Sequence, residues 1–214
     1  LAGFENVLMG LLSERENAEA LADLILDAQI RLVRNYQERF GKRLDSFSMT
    51  DDWGTQNAAF ISKDLWDDFF LPRYRKLYDV MHAGGQDVWL HSCGKVNELI
   101  QGFIDAGVDA VNLQQPRALG IEEIGRRYRG NITFESLSDI QHTLPTGRAD
   151  KIRDDARALA QHWMKPEGGF VFSDYGDGQA IGAAPEAKEI MYRAFSEVSE
   201  EVYGAPLPEA KVSS

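Results

Sequence analysis

Helical spacings and short apolar runs alternate along this chain. Ala18, Leu21, Ile25, Ala28 and Leu32 fall three and four apart, which predicts a helix over 14–41 that Gly41 stops. A short segment over 46–50 then runs into Asp51-Asp52-Trp53-Gly54-Thr55. Ser62 is placed to cap a further helix, with Leu65, Trp66, Phe69, Phe70 and Leu77 on its apolar stripe. Pro72 predicts a bend or interruption in it. Apolar runs predict strands over 87–91, 108–113, 131–135 and 168–172, with helices over 96–106, 120–128, 148–163 and 185–202. With 46–50 included, the chain has five repeats of strand followed by helix. Such alternation argues for a parallel α/β sheet with helical crossovers.

The residues just after each strand carry the chemistry. The five strands run into Asp51-Asp52, His91-Ser92-Cys93-Gly94, Gln114-Gln115, Glu135 with Asp139, and Asp174 with Asp177. In a β/α barrel, the C-terminal ends of the strands form the face where active sites are built. His91 and Cys93 stand out there. Side chains two apart on a strand face the same way, with Cα atoms roughly 6–7 Å apart. One imidazole nitrogen and one thiolate then suit a single Zn²⁺ ion. The alternative is a small buried cysteine beside a core histidine with its hydrogen bond satisfied.

Composition narrows the field. The chain has 214 residues, 43% of them hydrophobic, enough for one sizeable core. A single domain over 1–203 is expected, with a C-terminal tail over 204–214 whose end, 207–214, is short, polar and frayed. The net charge of −11 argues against a nucleic-acid surface. No apolar run approaches the ~18 residues of a membrane span, and the opening residues Leu1-Ala2-Gly3-Phe4 are not expected to be a signal peptide. Cys93 is the single cysteine, which excludes an internal disulfide and fits a reducing cytoplasm. The chain starts at Leu1, with its first methionine at Met9, so a piece of something longer is expected.

An ordered set of motifs carries a resemblance: Asp51-Asp52-Trp53-Gly54-Thr55-Gln56, Phe70-Leu71-Pro72-Arg73-Tyr74, His91-Ser92-Cys93-Gly94, Asp105-Ala106-Gly107-Val108-Asp109, Gln115-Pro116, the run from Asp139-Ile140-Gln141 to Pro145-Thr146-Gly147, and Gly168-Gly169-Phe170. Over about residues 1–200 the chain resembles the uroporphyrinogen decarboxylase superfamily. That superfamily includes the decarboxylase of haem synthesis and zinc-dependent, corrinoid-linked methyltransferases. The resemblance implies a TIM (β/α)8-type barrel, of which about the last five strand–helix units are present and the first three are missing.

The His-x-Cys pair resembles the methyltransferase branch, whose third ligand, usually cysteine, lies on a late Gly-x-Gly segment. Asp177, in Gly176-Asp177-Gly178, occupies that position here, a departure that puts a harder carboxylate in place of a thiolate. The resemblance thus implies Zn²⁺ on His91, Cys93 and Asp177. It also implies a methyl group moved between a corrinoid on a partner protein and a thiol-type, small-molecule acceptor. Asp51 and Asp52 are expected to orient substrate or the histidine, and Gln114 and Gln115 to hydrogen-bond substrate, although a capping loop and a strand-end turn account for the same residues.

Two rivals stand beside this reading. Decarboxylation of a porphyrinogen would set Asp51 or Asp52 against pyrrole N–H groups and would need cations such as Arg73, Arg75 and Arg117. A noncatalytic corrinoid-protein-binding fragment is the other. Gly176-x-Gly178 is too short for a dinucleotide fingerprint, and His142 and His162 are not spaced as ligands with His91. Five strands of an open barrel also predict self-association.

Overall fold

The computed structural model describes residues 3–208. Two helices lead, α1 (Phe4–Ser13) and α2 (Arg15–Phe40), before β1 (Ser46–Thr50). Short α3 (Lys63–Leu65), a five-residue π turn (Trp66–Phe70) and α4 (Leu71–Ala83) form one helical arm leading to β2 (Asp87–His91). Then come α5 (Ile100–Ala106), β3 (Ala110–Asn112), α6 (Pro116–Leu119), α7 (Ile121–Tyr128), β4 (Thr133–Ser136), α8 (Ala149–His162), β5 (Phe170–Phe172) and α9 (Pro185–Tyr203).

The strands lie in chain order, β1-β2-β3-β4-β5, and every neighbouring pair is parallel. Register sorts the side chains into two faces. Met49, Leu90, Val111, Phe134 and Phe170 stand side by side across the sheet. The middle three are wholly buried, in one core with residues of the helices. Deeper in that core the Phe134 ring stacks on Trp163 at 4.5 Å, and Trp163 Nε1 donates to Ile121 O at 2.8 Å. One residue further along each strand, Thr50, His91, Asn112, Glu135 and Val171 form the next row. Because alternate residues point to opposite faces, this mostly polar row lies away from the helices. The same alternation that builds the core therefore carries His91 and Asn112 together onto the other face.

The predicted elements are present with shifted ends. The helix expected over 14–41 is α2, and α1 precedes it. The strand expected over 108–113 is paired as a ladder only over β3, although Leu113 N still donates to Glu135 O at 2.9 Å. The helix expected over 96–106 begins at Ile100, after a turn, and α6 has no counterpart among the predicted elements. Pro72 acts as an interruption. It lacks an N–H, and its ring collides with the carbonyl four residues back, so a regular α-turn cannot run through it. The chain widens into the π turn just before it, and Arg73 Nη1 donates to Phe69 O at 2.7 Å. At the far end, Leu207 is tied down rather than frayed: its N–H donates to Ser196 Oγ at 3.2 Å and its side chain packs on the core. The rest of the expected frayed end, from 209 onward, lies outside the described residues.

Candidate functional site

The loops leaving β1 and β2 stay bound to each other beyond the sheet. Asp51 N donates to His91 O at 3.0 Å, Trp53 N to Ser92 Oγ at 3.1 Å, Gly54 N to Cys93 O at 3.1 Å and Lys95 N to Thr55 O at 2.7 Å. Two glycines allow this closeness. A Cβ on Gly94, whose φ is +79°, would lie 2.3 Å from Gly54 O, and one on Gly54 would lie 2.7 Å from Cys93 O. No side chain fits between the loops, so Asp52 is brought onto Cys93. The third loop is pinned to the second where Gly94 N donates to Gln115 Oε1 at 3.0 Å. Gln115 is buried and holds this loop.

Three donor atoms converge as a result. One ligand atom each from Asp52, His91 and Cys93 lies within 4.8 Å of the other two. His91 Nε2 is 3.3 Å from Cys93 Sγ and 3.4 Å from Asp52 Oδ1. Asp52 Oδ1 also accepts from Cys93 N at 2.9 Å. On the other side of the ring, His91 Nδ1 lies 2.5 Å from Asn112 Oδ1. An amide oxygen only accepts, so Nδ1 carries a proton, and in the neutral ring Nε2 presents its lone pair to the sulfur and the carboxylate. Nitrogen, sulfur and oxygen aimed at one point are a donor set that Zn²⁺ accepts with a fourth position left over. Without a cation, burial, then the charge and hydrogen bonding of Asp52, pushes the Cys93 thiol up to about 11. The thiol is then a poor nucleophile near neutrality, and a cation reverses that balance.

Asp51 faces a different neighbourhood. The Tyr74 hydroxyl donates to Asp51 Oδ2, and Trp53 Nε1 donates to the Tyr74 oxygen at 3.2 Å. Burial, then the charge of Asp51, raises Tyr74 well above its ordinary range and keeps it a donor. Asp51 is exposed by surface area, yet the protein around its carboxyl raises it above the usual carboxylate range. The Tyr74 hydrogen bond opposes this shift and the charge of Asp52 adds to it. Both aspartates line a cavity of about 370 Å³. Residues of α1 and α2 complete its walls opposite Met49, Trp53, Phe70 and Tyr74.

The remaining predicted residues are placed elsewhere. Asp177 Oδ1 accepts from Gln179 N at 3.0 Å and Ala180 N at 3.2 Å, capping the 3-10 turn Gln179–Ile181. It is not one of the three residues whose donor atoms converge. The Gln114 carbonyl accepts from Ile140 N at 3.3 Å. Arg73 pairs with Asp23 at 2.8 Å, and Arg75 donates to Asp105 O at 2.9 Å. Arg117 meets the buried Asp155 at 2.5 Å. The sequence marks Asp52 as a candidate without its place beside Cys93, and it assigns Asn112 no part. The signal for Asn112 is its position, directly across the register from His91.

Comparison with known proteins agrees with this architecture. A methyltransferase from Methanosarcina mazei shares the fold with a TM-score of 0.69 at 17% sequence identity. The match covers 90% of this chain and 53% of that one, so the chain spans about half the length of that relative. No curated protein sequence matches. The five parallel strand–helix units are an α/β arrangement of the TIM-barrel class. Residues 1–198 match uroporphyrinogen decarboxylase (URO-D), nearly the whole of the described sheet and its helices. By that match, and by the fold that goes with it, the chain belongs to the uroporphyrinogen decarboxylase family.

Proposed function

We propose that the chain carries the metal and substrate side of a zinc-dependent methyltransferase, moving a methyl group between a corrinoid on a partner protein and a thiol-type acceptor. The observation that supports this best is the convergence of Asp52, His91 and Cys93 at the strand ends, with Asn112 fixing the histidine tautomer. In this reading Asp52 completes the ligand set with His91 and Cys93, and Asp177 serves its turn. A bound zinc ion would supply Lewis acidity that makes a thiol acceptor lose its proton near neutral pH. The residues of the chain do the rest. Asn112 orients His91, the hydrogen bond from Cys93 N holds Asp52 in place, and Asp51 stands on the cavity wall as a carboxylate facing the acceptor. Gln115 keeps the second and third loops in register.

The decarboxylase reading needs free cations for the carboxylates of a porphyrinogen. Arg73, Arg75 and Arg117 are each engaged within the protein, which favours methyl transfer. Demethylation of a methylated corrinoid by a thiol tests the proposal, with and without chelator. Acceleration by the protein that chelator removes and zinc restores is the expected result. Chelator-insensitive loss of carboxylates from a porphyrinogen would establish the rival. Binding of a corrinoid protein without turnover would point to a noncatalytic module.

A further inference from the structure

The cavity beside the metal group has an unusual lining. Its rings lie at steep angles to one another: Phe70 packs on Trp53 at 4.6 Å and 68°, and Tyr74 lies 6.4 Å from Trp53 at 60°. Phe60 N donates to Trp53 O at 2.9 Å, which folds the intervening loop back toward the same cavity. Phe4 of α1 meets Phe60 edge-on at 5.0 Å and 76°. All five of these aromatic side chains stand among the residues that line the cavity.

Charge then selects what the walls surround. Two carboxylates, Asp51 and Asp52, stand on the lining. Tyr74 takes Oδ2 of Asp51, and no protein donor among the described residues reaches Oδ1. Among the described residues the one cation of the lining, Arg73, is held by Asp23 and by Phe69 O, with its guanidinium over the Phe69 ring at 4.3 Å. Its charge is therefore already balanced. A compact cation surrounded by aromatic faces is attracted by the ring quadrupoles, and a nearby carboxylate adds to that attraction. The net charge of −11 draws cations toward the protein as well.

The geometry points to a small alkylammonium group as the occupant of this cavity, held by the rings around Trp53 with Asp51 as its counter-charge. The inference deepens the methyl-transfer reading, on which it rests: the thiol-type acceptor of that site is one that carries an alkylammonium group. A volume of about 370 Å³ accommodates a quaternary ammonium head with a short chain.

Three probes with the same branched apolar body and different charge separate the possibilities: choline, 3,3-dimethylbutan-1-ol and 3,3-dimethylbutanoate. Binding is read by calorimetry and tryptophan fluorescence on the chelator-treated 214-residue chain, so no metal or turnover enters. Choline should bind roughly tenfold or more tighter than the neutral alcohol, and the anion weakest. Asp51→Asn should remove most of the preference for choline over the alcohol while leaving alcohol binding unchanged. Phe60→Leu, at a partly exposed position that tolerates the change, should weaken choline more than the alcohol. Equal binding of cation and alcohol, preference for the anion, or binding of none of the three overturns the inference. Failure of methyl transfer alongside retained choline preference would overturn the functional reading instead.

Discussion

Gly94 leaves no room for a side chain, and the site depends on that. An alanine there would put Cβ 2.3 Å from a backbone oxygen in a φ region that L residues avoid. Gly94→Ala should cost about 2–4 kcal/mol in urea unfolding. Gly85, with φ +84° and open space around a Cβ, supplies the comparison: its alanine should cost only about 1 kcal/mol. Equal costs would contradict the close packing of the two loops. The Cys93 thiol makes a second prediction. Raised from 9.0 to about 11, it should react with iodoacetamide at pH 8 about a hundredfold more slowly than an unperturbed thiol, in chelated protein. Asp52→Asn should speed that reaction, and no change would place Asp52 away from the sulfur. At this scale His91 and Cys93 are legible in the sequence because a strand has period two. Asp52 is not legible as their partner, because its approach is made by two glycines forty residues apart.

Among the elements, the segment from α6 to α8 is held by one buried charge. Asp155 is fully buried, pairs with Arg117, and accepts from Asp139 N at 3.0 Å. Burial raises its carboxyl above the usual range, with the Arg117 charge among the opposing effects. Arg117→Ala should therefore destabilise the fold by about 2–4 kcal/mol at pH 7. A carboxyl raised in the folded state favours folding below its unfolded value and opposes it as pH rises through the folded value. The variant should thus lose less stability at pH 4.5 than at pH 7. An equal loss at both would show that Asp155 is not left as an uncompensated charge. Helical periodicity locates α2, α8 and α9 to within a residue or two. Strand ends are less legible, because an apolar run does not reveal how many of its residues find a ladder partner. The π turn is foreshadowed only as an interruption at Pro72, since how the chain absorbs the missing N–H depends on what surrounds it.

The sheet as a whole has β1 and β5 at its two margins, each paired on one side among the described residues. Apolar side chains stand exposed on the leading helices, Leu12, Leu24 and Leu32 among them. Unpaired edges and apolar patches are templates for association. The 214-residue chain alone should run larger than a monomer in size-exclusion chromatography with light scattering, and a monodisperse monomer would argue against an accessible open edge. No described helix is long and apolar enough to cross a membrane. The parallel α/β sheet is legible in the strand–helix alternation and the barrel class in the family resemblance, whereas the cavity between the leading helices and β1 is not. It is made by side chains far apart in sequence, from Phe4 to Leu77, and depends on how α1 and α2 dock.

One ligand set decides whether the site is a metal centre, and zinc content reads it most directly. Purified protein, loaded with zinc, desalted and analysed by elemental mass spectrometry, should hold one zinc per chain. Cys93→Ser, His91→Ala and Asp52→Asn should each lose most of it, while Asp177→Ala keeps it. Full occupancy in the Asp52 variant with loss in the Asp177 variant would contradict the assignment and move the third ligand to the turn after β5.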